Sequence, residues 1–265
     1  MEYDKFVLDK LDVDSDLYGR AFADLTPDEK RTYWGYALAV RYLDTSDEEE
    51  MKDLFRRLNR YTVPLNPQEL RNATYEGPFA RLANKLADDH SDYLAENRIV
   101  TAAAIRRMAD VELMAELLIG VMHGPQGGSA RAIDAYYEEY EDFDDEFPGQ
   151  RRTVRVFSST LETIRLVLPD VREIRWGNKT DFYSLFTAVA ALLATKKVAA
   201  RKSRSLGSSL RDFAADVDNR LGDENAKVSK AAASYVRNVQ RGANDKARRA
   251  ERHAVLLAVL EPFFA

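Results

Sequence analysis

Cysteine is missing from all 265 residues. That absence excludes disulfides and thiolate-held metals, and it is compatible with a reducing compartment. Histidine is nearly missing too. His90, His123 and His253 stand far apart and share no ligand spacing, so they read as unrelated surface or helix-end residues. No run approaches the roughly 20 apolar residues that span a bilayer, and the start Met1-Glu2-Tyr3-Asp4-Lys5 has none of the apolar character of a secretory signal. These absences predict a cytoplasmic chain with no membrane partner. Phosphate-loop, dinucleotide, zinc-protease and serine-hydrolase signatures are absent as well. No catalytic residue and no metal ligand is therefore assigned from the sequence.

What is present is charge and helical periodicity. Charged residues make up 31% and hydrophobic ones 45%, enough for one large domain or two small ones. The net charge of −5 argues against a chain that coats nucleic acid uniformly, but the charge is segregated. Glu138, Glu139, Glu141, Asp142, Asp144 and Asp145 form an acidic run without a base, expected to be a solvated loop. From Lys196 to His253 there are fifteen Lys or Arg against seven Asp or Glu, a balance of +8. This hints at an anionic partner such as DNA. Lys196, Lys197, Arg201, Lys202, Arg204, Arg237, Arg241, Lys246, Arg248, Arg249 and Arg252 are the candidates to meet phosphates, although amphipathic surface helices need charged faces anyway.

The pattern predicts a mainly α protein, a multi-helix antiparallel bundle with a small β remnant near the N-terminus. Ser46 and Glu49 open a helix whose apolar face is Met51, Leu54, Phe55 and Leu58. Asn66-Pro67-Gln68-Glu69 supplies an N-cap, a Pro at N1 and a Glu at N3 for a short helix ending near Gly77, with Leu82 and Leu86 continuing into another. Thr101 to Met122 reads as one helix, apolar on most sides. Further stripes run through Val154–Leu168, Phe182–Leu192, Leu210–Leu221, Val228–Val239 and Ala250–Leu260. Tyr36–Leu43 partly alternates and would be a strand, pairing with Phe6–Leu11 or with a sheet elsewhere. Gly124-Pro125-Gln126-Gly127-Gly128 divides the chain into residues 1–123 and 129–265. Asp110, Glu112 and Glu116 share a helix but lack a partner for metal chemistry; the duller role for the glutamates is pairing with Arg106, Arg107 or neighbouring helices.

The segment from Phe55 to Phe79 carries more polar groups than capping requires. Arg57, Asn59, Gln68, Arg71 and Asn72 surround one turn beside a helix N-terminus, an arrangement suited to an anion or phosphate, although capping and packing explain its skeleton. Phe55-x-Arg57-Leu58-Asn59, Pro64-Leu65-Asn66-x-Gln68-Glu69-Leu70-Arg71-Asn72-Ala73 and Tyr75-x-Gly77-Pro78-Phe79 resemble the N-terminal domain family of GmrSD-type restriction endonucleases. Arg106-Arg107-x-x-Asp110-x-Glu112 resembles a helix of that family, Lys179–Phe186 its later aromatic helix, and Arg248-Arg249-x-x-Arg252 its terminal basic helix. The resemblance implies nucleotide-dependent DNA restriction in prokaryotic defence, with Arg57, Asn59, Glu69, Arg71 and Asn72 in the site and a nucleoside triphosphate with magnesium as the cofactor. The family's Asp-Gly-Gln-Gln-Arg motif and its HNH-like nuclease are both missing. The resemblance therefore implies a helical portion, inactive alone, whose ParB-like subdomain comes from a companion chain. A non-enzymatic helical interaction module, or a homo-oligomer, is the alternative.

Overall fold

Asn66 accepts hydrogen bonds from the backbone N–H groups of Gln68 and Glu69, while Glu69 reaches back to the Asn66 N–H at 2.8 Å. With Pro67 at its first position, this box opens a helix over Pro67–Thr74, as its sequence predicts. A computed structural model of the chain describes residues 7–8, 15–37, 40, 50–51, 65–240 and 242–265. Among these the helices are α1 (Pro27–Trp34), α2 (Pro67–Thr74), α3 (Pro78–Glu96), α4 (Ala102–Ile105), α5 (Ala109–His123), α6 (Ala130–Glu139), α7 (Gln150–Val167), α8 (Lys179–Leu193), α9 (Ser203–Gly222), α10 (Lys230–Arg237) and α11 (Lys246–Leu260). The protein is a mainly α helical bundle.

The helix α8 is the axis of the bundle. Phe182, Leu185, Phe186, Ala188 and Val189 are all buried, so it is apolar on nearly every side. It packs against α5, α7 and α11, while α3 covers the far side of α5. The Phe157 and Phe186 rings lie 4.9 Å apart between α7 and α8. Trp176 is fully buried beside Phe213 and Tyr235, and its indole N–H donates to the Leu210 carbonyl at 3.0 Å. Burying side chains of this size contributes roughly 2–3 kcal/mol each.

One continuous hydrophobic cluster runs from Phe79 to Phe264. The Gly124–Gly128 segment joins α5 to α6 beside this cluster. The helix expected over Thr101–Met122 is broken, because Met108 adopts a left-handed conformation (φ 59°) between α4 and α5.

The acidic run is solvent-exposed at Glu138, Glu139, Asp142, Asp144 and Asp145, as expected, and only Glu141 turns inward. The Glu141 carboxylate accepts from the N–H groups of Glu76 and Gly77, both at 2.9 Å, capping α3 from across the fold. Gly77 fits there because a Cβ would sit 2.7 Å from the Tyr140 carbonyl oxygen. Of the expected strands, Tyr36, Ala37 and Val40 are described and lie outside any strand, and the described residues contain only isolated bridges, Val7 with Ala21 and Val198 with Phe264. The rest of the Tyr36–Leu43 and Phe6–Leu11 strands lies outside the described residues, as do Leu54, Phe55 and Leu58 of the helix after Ser46.

Ahead of the bundle, α1 opens with a Thr26–Glu29 capping box. The Thr26 N–H and then the Arg20 guanidinium hold the Glu29 carboxyl down to about 2. The Tyr18 hydroxyl donates to Asp92 on α3 at 2.8 Å. No helix among the described residues is long and apolar enough to cross a membrane.

Candidate functional site

Four-residue spacing puts Glu112 and Glu116 on one face of α5, and the helices around that face supply their partners. From α2, Arg71 donates to Asp134 at 2.6 Å, to Glu112 at 3.4 Å, to the Gln68 side chain at 3.0 Å and to the Ala130 carbonyl at 3.0 Å. Lys179, the first residue of α8, lies 3.4 Å from Glu112 and 3.6 Å from Glu116. From α11, Arg249 pairs with Glu116, bonds Asn244 and the Gln126 carbonyl, and stacks its guanidinium 4.0 Å above the Tyr183 ring. Its Nε has no acceptor although it is buried. Three positions on, Arg252 donates to Ser184 and to the carbonyls of Asn238 and Ala243.

The belt extends into a second buried cluster. Arg175 binds Asp181 at 2.8 Å and also pairs with Asp218, and the Tyr235 hydroxyl donates to Asp181 at 2.7 Å. Burial pushes the Asp181 carboxyl up, against the pull of Arg175. Burial also drives the Tyr235 hydroxyl upward and the Arg252 guanidinium downward. The same cause takes the Tyr137 hydroxyl, which accepts from Gln68 at 3.0 Å, up to about 12. Such networks hold only when their members are paired, since an isolated buried charge is strongly destabilising.

Between α5, α8 and α11 the belt encloses a cavity of about 100 Å³, with Glu112, Glu116, Lys179, Tyr183, Arg249 and Arg252 in its wall. The Gly124–Gly128 loop closes one side: the Gln126 N–H donates to the Tyr183 hydroxyl, and the Gly128 N–H to the Asn244 carbonyl. A side chain at Gly128 would run into the Arg249 guanidinium. Among the described residues, no group of three or more His, Asp and Glu is placed to hold a metal ion.

The sequence-predicted residues fall into three sets. Gln68 and Arg71 are buried and turned inward, with Glu69 joined to Arg107 at 2.7 Å; Asn72 is exposed beside a separate open cleft of about 730 Å³. Glu112 pairs with Arg71 and Lys179, with Arg107 engaged at Glu69 instead. Arg57, Asn59 and Arg241 lie outside the described residues.

The basic candidates divide in the same way. Lys197, Arg201, Lys202, Arg204 and Arg248 are exposed, while Lys196 bonds Glu261 at 2.8 Å. Arg249 and Arg252 are 5% and 0% exposed. Their expected place on a DNA-facing surface is corrected: with Leu256 and Leu260 they form the buried face of α11. The sequence reading missed Lys179, Tyr183 and Asn244 as parts of the cavity. The i, i+4 pair Glu112 and Glu116 was the available signal. No family model, no curated protein and no solved structure matches this chain.

Proposed function

We propose that this chain is the helical body of a GmrSD-like DNA-restriction or anti-phage defence protein, acting with a companion that supplies the ParB-like subdomain. One observation carries the reading. The segments that resemble the family are separated by long stretches of sequence, yet they meet in one belt: Arg71 from the first motif, Glu112 from the second, Lys179 and Ser184 from the third, Arg249 and Arg252 from the fourth. In this reading the belt fixes the helices that the companion recognises. The exposed Lys197, Arg201, Lys202 and Arg204, at the turn from α8 into α9, meet the DNA backbone. The nucleoside triphosphate and its magnesium are shared with the companion.

Anisotropy of a labelled duplex tests the DNA arm. Affinity should fall steeply with salt, and reversing Lys197, Arg201 and Lys202 to Glu should reduce the salt slope by about one for each phosphate the protein no longer neutralises. A salt slope unchanged by that triple reversal would sink the DNA arm. The companion arm is tested by adding a chain that carries Asp-Gly-Gln-Gln-Arg and assaying nucleotide-stimulated DNA cleavage.

A second reading, a protein-interaction module, is favoured by a different region. Phe22, Tyr33 and Trp34 cluster with ring centroids 5.2–5.6 Å apart, and Tyr33 and Trp34 remain 61% and 73% exposed. Sedimentation separates the two readings. A stable homodimer indifferent to DNA and nucleotide favours the module.

A further inference from the structure

We propose that a second cavity, between the ends of α5 and α8 and the first two turns of α7, binds one small organic carboxylate. The ligand's apolar body lies on the cavity floor and its charge meets Arg152. The proposal goes beyond the DNA reading and does not depend on it. The cavity measures about 280 Å³. At about 30 Å³ for each water of the liquid, that space suits a compact ligand of roughly ten non-hydrogen atoms and is too small for a nucleotide.

The floor is apolar. Val121 and Met122 at the end of α5, and Val156 on α7, are half-buried side chains packed on the edge of the core. Ala194, the C-cap of α8, adds only a methyl group and leaves the space open. A concave apolar surface with few polar groups gains by exchanging its water for the apolar part of a ligand.

The polar part of the wall singles out one group. The His123 imidazole and the Tyr140 hydroxyl lie 3.5 Å apart and meet each other, and the Thr153 hydroxyl donates to the Gly149 carbonyl at 3.2 Å. Arg152 is exposed, and no carboxylate shares the wall with it. Among the described residues it makes no hydrogen bond or ion pair, whereas its neighbour Arg151 is held by Glu146 at 2.8 Å. The position of Arg152 is a second reason. It stands in the first turn of α7, which has no acidic residue and no side-chain cap. A cation there opposes the helix dipole, where a carboxylate would be favoured. Local conflicts of this kind concentrate at functional sites. A ligand carboxylate resolves this one, because its two oxygens match the guanidinium fork.

The chain has five methionines, and Met122 is the one in this wall among the described residues. Carbon-13 labelling of the methionine methyl groups of the full chain therefore reads the site, with the Met122 peak assigned by its loss in Met122→Leu. Benzoate should move that peak saturably. Acetate has the charge without the apolar body, and benzamide the body without the charge; each should bind at least about tenfold more weakly. Arg152→Gln, at an exposed position, should weaken benzoate at least about tenfold, with circular dichroism reporting an intact fold. Hexanoate is the second probe. Movement with hexanoate but not with benzoate supports the site and assigns it to a flexible chain, the controls then being acetate, hexanamide and Arg152→Gln. The proposal is overturned if neither acid moves the Met122 peak, if acetate or the matching amide binds as tightly as the acid, or if folded Arg152→Gln binds the acid as the parent does. None of these outcomes bears on the duplex salt slope.

Discussion

The C-terminal third holds two sets of basic residues that look alike as text and do opposite work. Arg249 and Arg252 lie inside, each bonded to three groups, among them the remote Glu116 and Gln126 for Arg249 and Ser184 for Arg252. Lys197, Arg201 and Lys202 lie outside, on the turn between α8 and α9, with Arg204 exposed in the first turn of α9. A guanidinium is weakly hydrated and offers five donors in a fixed fork, so it can satisfy several buried carbonyls at once. The lesson is that a basic residue's role is set by the helix face it occupies.

Substitutions can break this contrast at either end. Arg252→Ala strands the Asn238 and Ala243 carbonyls and should cost about 3 kcal/mol or more of unfolding free energy in urea titration. A loss under 1 kcal/mol would contradict the buried assignment. Arg71→Leu should cost slightly less, about 2 kcal/mol, because Glu112 and Asp134 keep access to water. Glu141→Ala uncaps α3 and should cost about 1 kcal/mol.

The pH dependence is smaller. Burial lowers both His90 and His253 from the ordinary 6.5. The unfolded chain therefore binds more protons, and stability is fullest above pH 6.5 and declines as pH falls through that value. Asp181, pushed up by burial, works in the opposite sense: its raised carboxyl favours the folded state as pH falls towards its ordinary 3.8. Denaturant midpoints at pH 8 and pH 5.5 should differ less in His253→Gln than in the parent. At the bottom of the scale, Lys197, Arg201 and Lys202 changed together to Glu should leave stability within about 0.5 kcal/mol, while changing duplex affinity. A destabilisation comparable to that of Arg252→Ala would erase the distinction.

Some of this was legible and some was not, for physical reasons. The α2 start was readable because Asn66, Pro67 and Glu69 each have one well-defined capping role. The axial α8 was readable from Phe182, Leu185, Phe186, Val189 and Leu192, which recur at helical spacing. The interruption at Met108 was not, since nothing in a methionine side chain announces a positive φ. Glu141 gave no local sign of its role either, because its partners, Glu76 and Gly77, are remote in sequence. The inward turn of Arg249 and Arg252 had a signal that charge obscured. Positions 249, 252, 256 and 260 repeat at helical spacing, so two arginines share a face with two leucines. For the cavity, the sequence supplied Glu112 and Glu116 but could not say that α8 and α11 would meet them.

The Glu141 cap has a kinetic consequence. Its hydrogen bonds close loops of 64 and 65 residues, and such closure carries an entropic cost that local contacts do not. The start of α3 must therefore wait for α6 and the loop after it, so this tie belongs to the late, downhill side of the folding barrier. Removing it in Glu141→Ala should leave the refolding rate nearly unchanged and appear as faster unfolding. The carboxylate then governs how long the native state lasts, not how quickly it is reached.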